Sequence, residues 1–246
     1  MSIAEKVRKA WHERLDTPRP DNVENACEYL HHDLELIALY GKALNLLGRG
    51  SYDNALLTSL LMEKILKERM SETHNIMVLN LAGCALAGKG ECGAALSIFD
   101  EALAHLPKNA SNYMISFLYS QKGNMETGIG DLISAESSLD IALKYDAKNM
   151  YAWKRMADLM AQQGRDHKAI LHYKQAIKVY NPANNILEYY FAVLGLVRSY
   201  IETGQKERAE AALEKLNAPP LSHHPLSNYT YSIVKPQISL KMKNRG

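Results

Sequence analysis

A helix-breaking glycine recurs along this chain, and the apolar residues around it recur with it. The clearest copy is residues 76–109, IMVLNLAGCALAGKGECGAALSIFDEALAHLPKN. Leu79, Ala82, Gly83 and Leu86 fall at i, i+3, i+4 and i+7, so they share one face of a helix. Gly88 and Gly90 interrupt that helix. Ala95, Phe99 and Ala102 then share one face of a second helix, which Pro107 stops because proline cannot supply the next backbone N–H. A helical hairpin this small cannot bury its apolar face alone and must stack on copies of itself.

The copies are present. Around Met150–Ala183, Trp153, Met156, Ala157 and Met160 form a first face, Gly164 marks the turn, and Ala169, Tyr173 and Ala176 form a second face. A later copy carries Leu196, Tyr200, Gly204, Ala209, Leu213 and Leu216. An earlier one carries Leu39, Ala43, Leu46, Gly50, Ala55 and Met62, with Lys42 where an apolar residue is expected. The middle is least regular. Ala135, Leu139 and Ala142 mark a second helix, and its partner holds Tyr113, Ile115, Ser116 and Tyr119 and ends near Gly123. The following residues NMETGIG either form a longer loop or lengthen both helices by a turn. The turn glycines at 50, 90, 164 and 204 give outer spacings of forty residues, so several helices should be long.

This pattern resembles the tetratricopeptide repeat (TPR), whose motif is W-x2-L-G-x2-Y, then A-x3-F, then P, over about 34 residues. Residues 76–109 carry Leu79 for the tryptophan, Ala82-Gly83 for the Leu-Gly pair, Leu86 for the tyrosine, and Ala95, Phe99 and Pro107 as in the motif. The resemblance covers about Asp33–Asn217. It implies an all-α, right-handed superhelical solenoid of about five helical hairpins.

The ends differ from the repeats. Ile3, Val7, Ala10, Trp11 and Leu15 recur at helical spacing, TPRPDN interrupts, and Asp21 with Glu24 makes a capping-box-like start for another helix. Residues 1–32 are therefore expected to be capping helices, since terminal repeats need their apolar face covered. Residues 33–217 form the repeat domain. Residues 218–246 form an irregular C-terminal tail, because Pro219, Pro220, Pro225 and Pro236 exclude one continuous helix.

Composition narrows the function. The 246 residues are 47% hydrophobic and 23% charged, with a net charge of +2. Acidic and basic residues are interspersed, so no stripe for nucleic acid forms. No run of about 18 apolar residues occurs, so no membrane insertion is expected. The first residues have no apolar core of signal-peptide length, and a cytoplasmic location is expected. Cys27, Cys84 and Cys92 read as reduced, packed thiols. His31-His32-Asp33 and His223-His224 are the only histidine clusters, and adjacent helical residues point about 100° apart, which suits no metal site. No G-x-S-x-G, H-E-x-x-H or Walker sequence occurs. No metal, no cofactor and no catalytic residues are expected.

The working surface is inferred from the resemblance, which places the first helix of each repeat along a concave groove. Beside the packing face lie Tyr40, Leu44 and Leu47, then Met77, Asn80, Leu81 and Cys84, then Tyr113, Met114 and Phe117, then Tyr151, Lys154, Arg155 and Asp158, and finally Arg198. The earlier groups are largely apolar and the later ones charged. Such a strip suits an amphipathic helix or extended peptide of another protein. Some TPR proteins hold a terminal carboxylate in a lysine–asparagine–arginine clamp. Here Tyr40 and Leu44 stand where that clamp needs lysine and asparagine, and Asp158 would oppose the carboxylate. The expected function is a non-enzymatic adaptor, scaffold or chaperone-like protein that holds a partner's segment. The alternative is a self-associating structural subunit of a larger assembly, with Trp11 at its interface.

Overall fold

The computed structural model describes residues 33–70, 75–180 and 186–217, and among these ten α-helices and a closing 3-10 turn form with no strand. They follow one another as five pairs linked by short turns: α1 (Leu34–Gly48) then α2 (Tyr52–Met70), α3 (Ile76–Gly88) then α4 (Cys92–Ala104), α5 (Asn112–Ile129) then α6 (Leu132–Tyr145), α7 (Met150–Gln162) then α8 (Asp166–Lys178), and α9 (Ile186–Glu202) then α10 (Lys206–Leu213). The expected N-terminal capping helices and C-terminal tail lie outside the described residues.

Every hairpin turns on the same device. Gly50, Gly90, Gly130, Gly164 and Gly204 all have φ between 69° and 85°, a left-handed conformation that costs glycine nothing. In each case the glycine N–H bonds back three residues and the next N–H bonds back five. Gly130 N–H donates to Thr127 O and Asp131 N–H to Glu126 O, as Gly90 N–H does to Ala87 O and Glu91 N–H to Leu86 O. This pair of hydrogen bonds satisfies the last carbonyls of the helix and ends it.

The fifth glycine settles the irregular middle. α5 runs on through residues 124–129 and turns at Gly130, so the extra residues lengthen the first helix alone and form no loop. α2, α5 and α9 are the long helices, with 19, 18 and 17 residues, against 13 in α3, α4, α7 and α8. Four of the first helices start on a side-chain cap, as α6 does on Asp131, which accepts from Ser134 N–H. Asp33, Asn75, Ser111 and Asn149 each accept a backbone N–H from the first turn of α1, α3, α5 and α7, a cap worth about 1 kcal/mol.

With the turns aligned, the packing positions become uniform. Five residues after each glycine stand Ala55, Ala95, Ala135, Ala169 and Ala209, all fully buried. Seven before stand Ala43, Gly83, Gly123, Ala157 and Val197, and nine after stand Ser59, Phe99, Leu139, Tyr173 and Leu213, all of them buried. Small residues on one helix admit large side chains from the next at interior packing density. Lys42 points outward and Ala43 takes the buried place beside it.

The chain divides into two compact units between Ala135 and Glu136, inside α6. In the first, α1 packs on α2, α2 on α3, α3 on α4 and α4 on α5, with α1 also touching α3. Leu36, Ile37, Met62, Leu66, Leu81, Phe99 and Leu118 fill its core. In the second, α7 packs on α8, α8 on α9 and α9 on α10, with α7 also touching α9.

Candidate functional site

In the first unit, the candidate surface is smaller than its apolar sequence suggests. Tyr40, Met77, Leu81 and Met114 are each at most 5% exposed and belong to the core. They are corrections to the expected groove: their faces meet neighbouring helices, so they hold the unit together. Asn80 is also buried. Leu44, Leu47, Cys84, Tyr113 and Phe117 stay half-buried at the surface. Between α3 and α5, Gln121 Nε2 donates to Cys84 Sγ at 3.2 Å, and Cys84 Sγ donates to Asn80 Oδ1 at 3.6 Å. The Tyr113 and Phe117 rings lie nearly parallel, their centroids 6.4 Å apart. Cys84 and Cys92 are both free thiols.

The true register of α5 rearranges its candidates. Phe117 lies thirteen residues before its turn glycine, as Met77 does before Gly90. Tyr113 stands one helical turn further back, and Met114 on the buried side. Gln121 and Asn124 join this face beyond the sequence expectation, because the helix continues past Gly123 and turns at Gly130. Behind this face Lys122 Nζ meets Asp100 Oδ1 at 2.6 Å and Glu126 Oε1 at 3.9 Å. Burial opposes its charge, but these carboxylates hold the Lys122 ammonium above the ordinary lysine range.

In the second unit α7 and α9 lie side by side and build a charged face. Lys154 is buried, with Nζ 2.9 Å from Asp158 Oδ2 and 3.6 Å from Glu188 Oε2. Its ammonium also stands 5.9 Å from the centre of the Phe191 ring, a cation–π distance. Asp158 gathers two more partners: Tyr173 Oη donates to it at 2.6 Å and Arg155 Nη1 lies 3.8 Å away. Burial and the Asp158 carboxylate push the Tyr173 hydroxyl far above its ordinary pKa, so it stays protonated and donates. Lys154 is thus neutralised by Asp158 and Glu188 and is no free cation for a ligand. Arg155 and Tyr151 are half-buried, Arg198 is exposed, and Phe191 is 47% exposed.

Sequence reasoning named Tyr151, Lys154, Arg155 and Arg198 here and missed Glu188, Tyr173 and Phe191 as parts of one cluster. Phe191 had a signal: it lies thirteen residues before Gly204, as Tyr151 lies before Gly164. Trp11 lies outside the described residues. Among the described residues no three His, Cys, Asp or Glu side chains could hold a metal, and no helix is long and apolar enough to cross a membrane.

Neither a family model nor a curated protein matches the chain. Solved structures do match. The thermophilic TPR protein TTC0263 of Thermus thermophilus aligns with a TM-score of 0.60 at 20% identity, over 80% of this chain and 97% of that one. The fold is that of the tetratricopeptide repeats. Pseudomonas aeruginosa pilF aligns with a TM-score of 0.57 at 16% identity, over 96% of this chain and 100% of that one. A TPR protein of Parabacteroides merdae aligns with a TM-score of 0.55 at 16% identity, over 98% and 83%. The expected all-α repeat architecture therefore holds, and the TPR anchors Gly83, Ala95 and Phe99 occupy the packing seam that the motif assigns them.

Proposed function

We propose that this TPR chain is a non-enzymatic scaffold that holds a helical or extended segment of a partner protein against the exposed face of its first helices. The observation that carries this reading is a contrast of positions. The packing positions repeat from hairpin to hairpin, down to five buried alanines. The face positions do not. Six residues before the turns stand Leu44, Cys84 and Asn124 in the first unit and Asp158 and Arg198 in the second, none of them buried. A spacer needs only the packing positions, and side chains that change in chemistry from one turn to the next within each unit suit the recognition of a particular segment.

The second unit offers the more open part of that face. Phe191 presents a ring steadied by Lys154, and Arg155, Asp158 and Arg198 surround it with both signs of charge. Such an aromatic anchor in a polar rim is what a protein-binding hot spot requires. An adaptor or chaperone-like role in the cytoplasm belongs to this proposal.

The test is site-specific photo-crosslinking in the full chain. A photoreactive residue at Phe191 or Phe117 should trap one discrete partner, and the same residue at Ile133, 86% exposed on a second helix, should not. In the chain without the probe, the paired change Phe191→Ser and Arg198→Glu should abolish capture of that partner. An identical crosslinking pattern at all three sites, or unchanged capture by the folded double variant, refutes the proposal.

A further inference from the structure

The outer face of α2 differs from every other second helix. Leu57, Leu60 and Leu61 are 63%, 51% and 47% exposed and lie at i, i+3 and i+4, so they form one apolar stripe. Counted from the turn glycines, the residues equivalent to Leu57 and Leu60 are Ser97 and Asp100 on α4, Ser137 and Asp140 on α6, Leu171 and Lys174 on α8, and Ala211 on α10 with Glu214 at the start of the closing 3-10 turn. Only α2 has leucine at both. The stripe does not serve the core, since Ala55, Ser59 and Met62 already face inward there.

The charges flanking the stripe have an order. Asp53 lies at its N-terminal end and is 80% exposed even though Lys89 Nζ approaches it at 3.0 Å. Lys64 lies at its C-terminal end and is 69% exposed beside Glu68. Asp53 and Lys64 are equidistant from the point midway between Leu57 and Leu60. A two-fold axis through that point places Leu57 against Leu60 of the partner subunit and Asp53 against Lys64 of the partner subunit. The same operation repeats both pairs on the other side. A patch that complements itself under a two-fold rotation is what a closed homodimer needs.

We propose that α2 is a homodimer contact, in which two copies of this chain pair antiparallel through Leu57, Leu60 and Leu61 with Asp53 and Lys64 setting the register. One helix pair lies at the small end of specific interfaces, so the dimer is weak and exchanges readily. This contact is independent of the face of the first helices, and its failure leaves the segment-binding proposal standing.

Sedimentation equilibrium of the full chain tests it. The wild type should dimerise within concentrations up to roughly 100 µM. Leu57→Glu should be monomeric with an unchanged helical circular dichroism spectrum, as its exposure permits. Asp53→Lys alone and Lys64→Glu alone should each weaken association about tenfold, because each sets like charges against each other. Mixing these two variants should restore it, because in the heterodimer both pairs become opposite in charge. A wild type that stays monomeric, whether the stripe is bare or covered by another part of the chain, overturns the proposal. So does a dimer that is indifferent to Leu57→Glu, or a mixture of the charge variants that associates no better than either alone.

Discussion

Gly83 faces Phe99 so closely that a Cβ on the glycine would stand 2.7 Å from two carbons of the ring. Phe99 is fully buried. Gly83→Ala should therefore destabilise the first unit by about 1–3 kcal/mol through overpacking, although alanine is the better helix former. Phe99→Leu in the same chain should recover part of that loss. Urea denaturation of the three variants checks it, and a neutral Gly83→Ala would show that the seam yields.

Gly130 poses the opposite case. A Cβ there meets nothing within 4 Å, yet its φ is 85°. The cost of Gly130→Ala is conformational alone, about 1–2 kcal/mol, and Gly130→Asn should cost less because asparagine tolerates the left-handed region. A ranking of glycine, asparagine, alanine in thermal midpoint is the expected result. Equal midpoints would place the turn elsewhere.

Lys154→Met should destabilise the second unit by about 2 kcal/mol, below the usual figure for breaking a buried pair because Asp158 retains solvent contact. Its removal leaves Glu188, 19% exposed, without the ammonium it faces. Adding Glu188→Gln should return part of the loss, and this non-additivity is the readout. Strictly additive effects would mean that the two residues do not interact.

His172 stacks on Trp153, with ring centroids 5.6 Å apart. Burial lowers its pKa below the ordinary 6.5, against the pull of Asp140 and Glu136, with Lys168 and Arg165 adding to the lowering. A depressed folded pKa means that the unfolded chain takes up the proton first. The stability from neutral His172 is present above pH 6.5 and is lost as pH falls toward the folded value. His172→Gln should flatten the fall of the denaturation midpoint below pH 6.5. An unchanged slope would assign that fall to other groups.

Much of the repeat frame was readable from single residues. Gly50, Gly90, Gly164 and Gly204 mark turns because each follows a helical apolar stripe, and all four have positive φ. Gly130 escaped because Gly123 and Gly128 compete with it in the same stretch. Ala135, five residues on, carried the information that separates them, since an alanine follows every other turn at that distance. Gly123 sits inside α5 instead, buried among its neighbours.

The candidate face was harder to read. Tyr40, Met77 and Leu81 look like a free apolar strip in sequence, because each lies beside the packing positions of its own helix. They are buried because α1 and α3 touch each other as well as α2. Lys154 looks like a cation offered to a ligand until Glu188, on another helix, is placed 3.6 Å from it.

Local chemistry determined the hairpins of this protein. A glycine ends each first helix, and an aspartate, asparagine or serine starts four of them, through bonds to residues within a turn, and no distant contact is needed. Tertiary structure alone decided which side of each helix remains open. That depends on how far a second neighbour reaches across the packing seam, a quantity set by side chains thirty or more residues away in the chain.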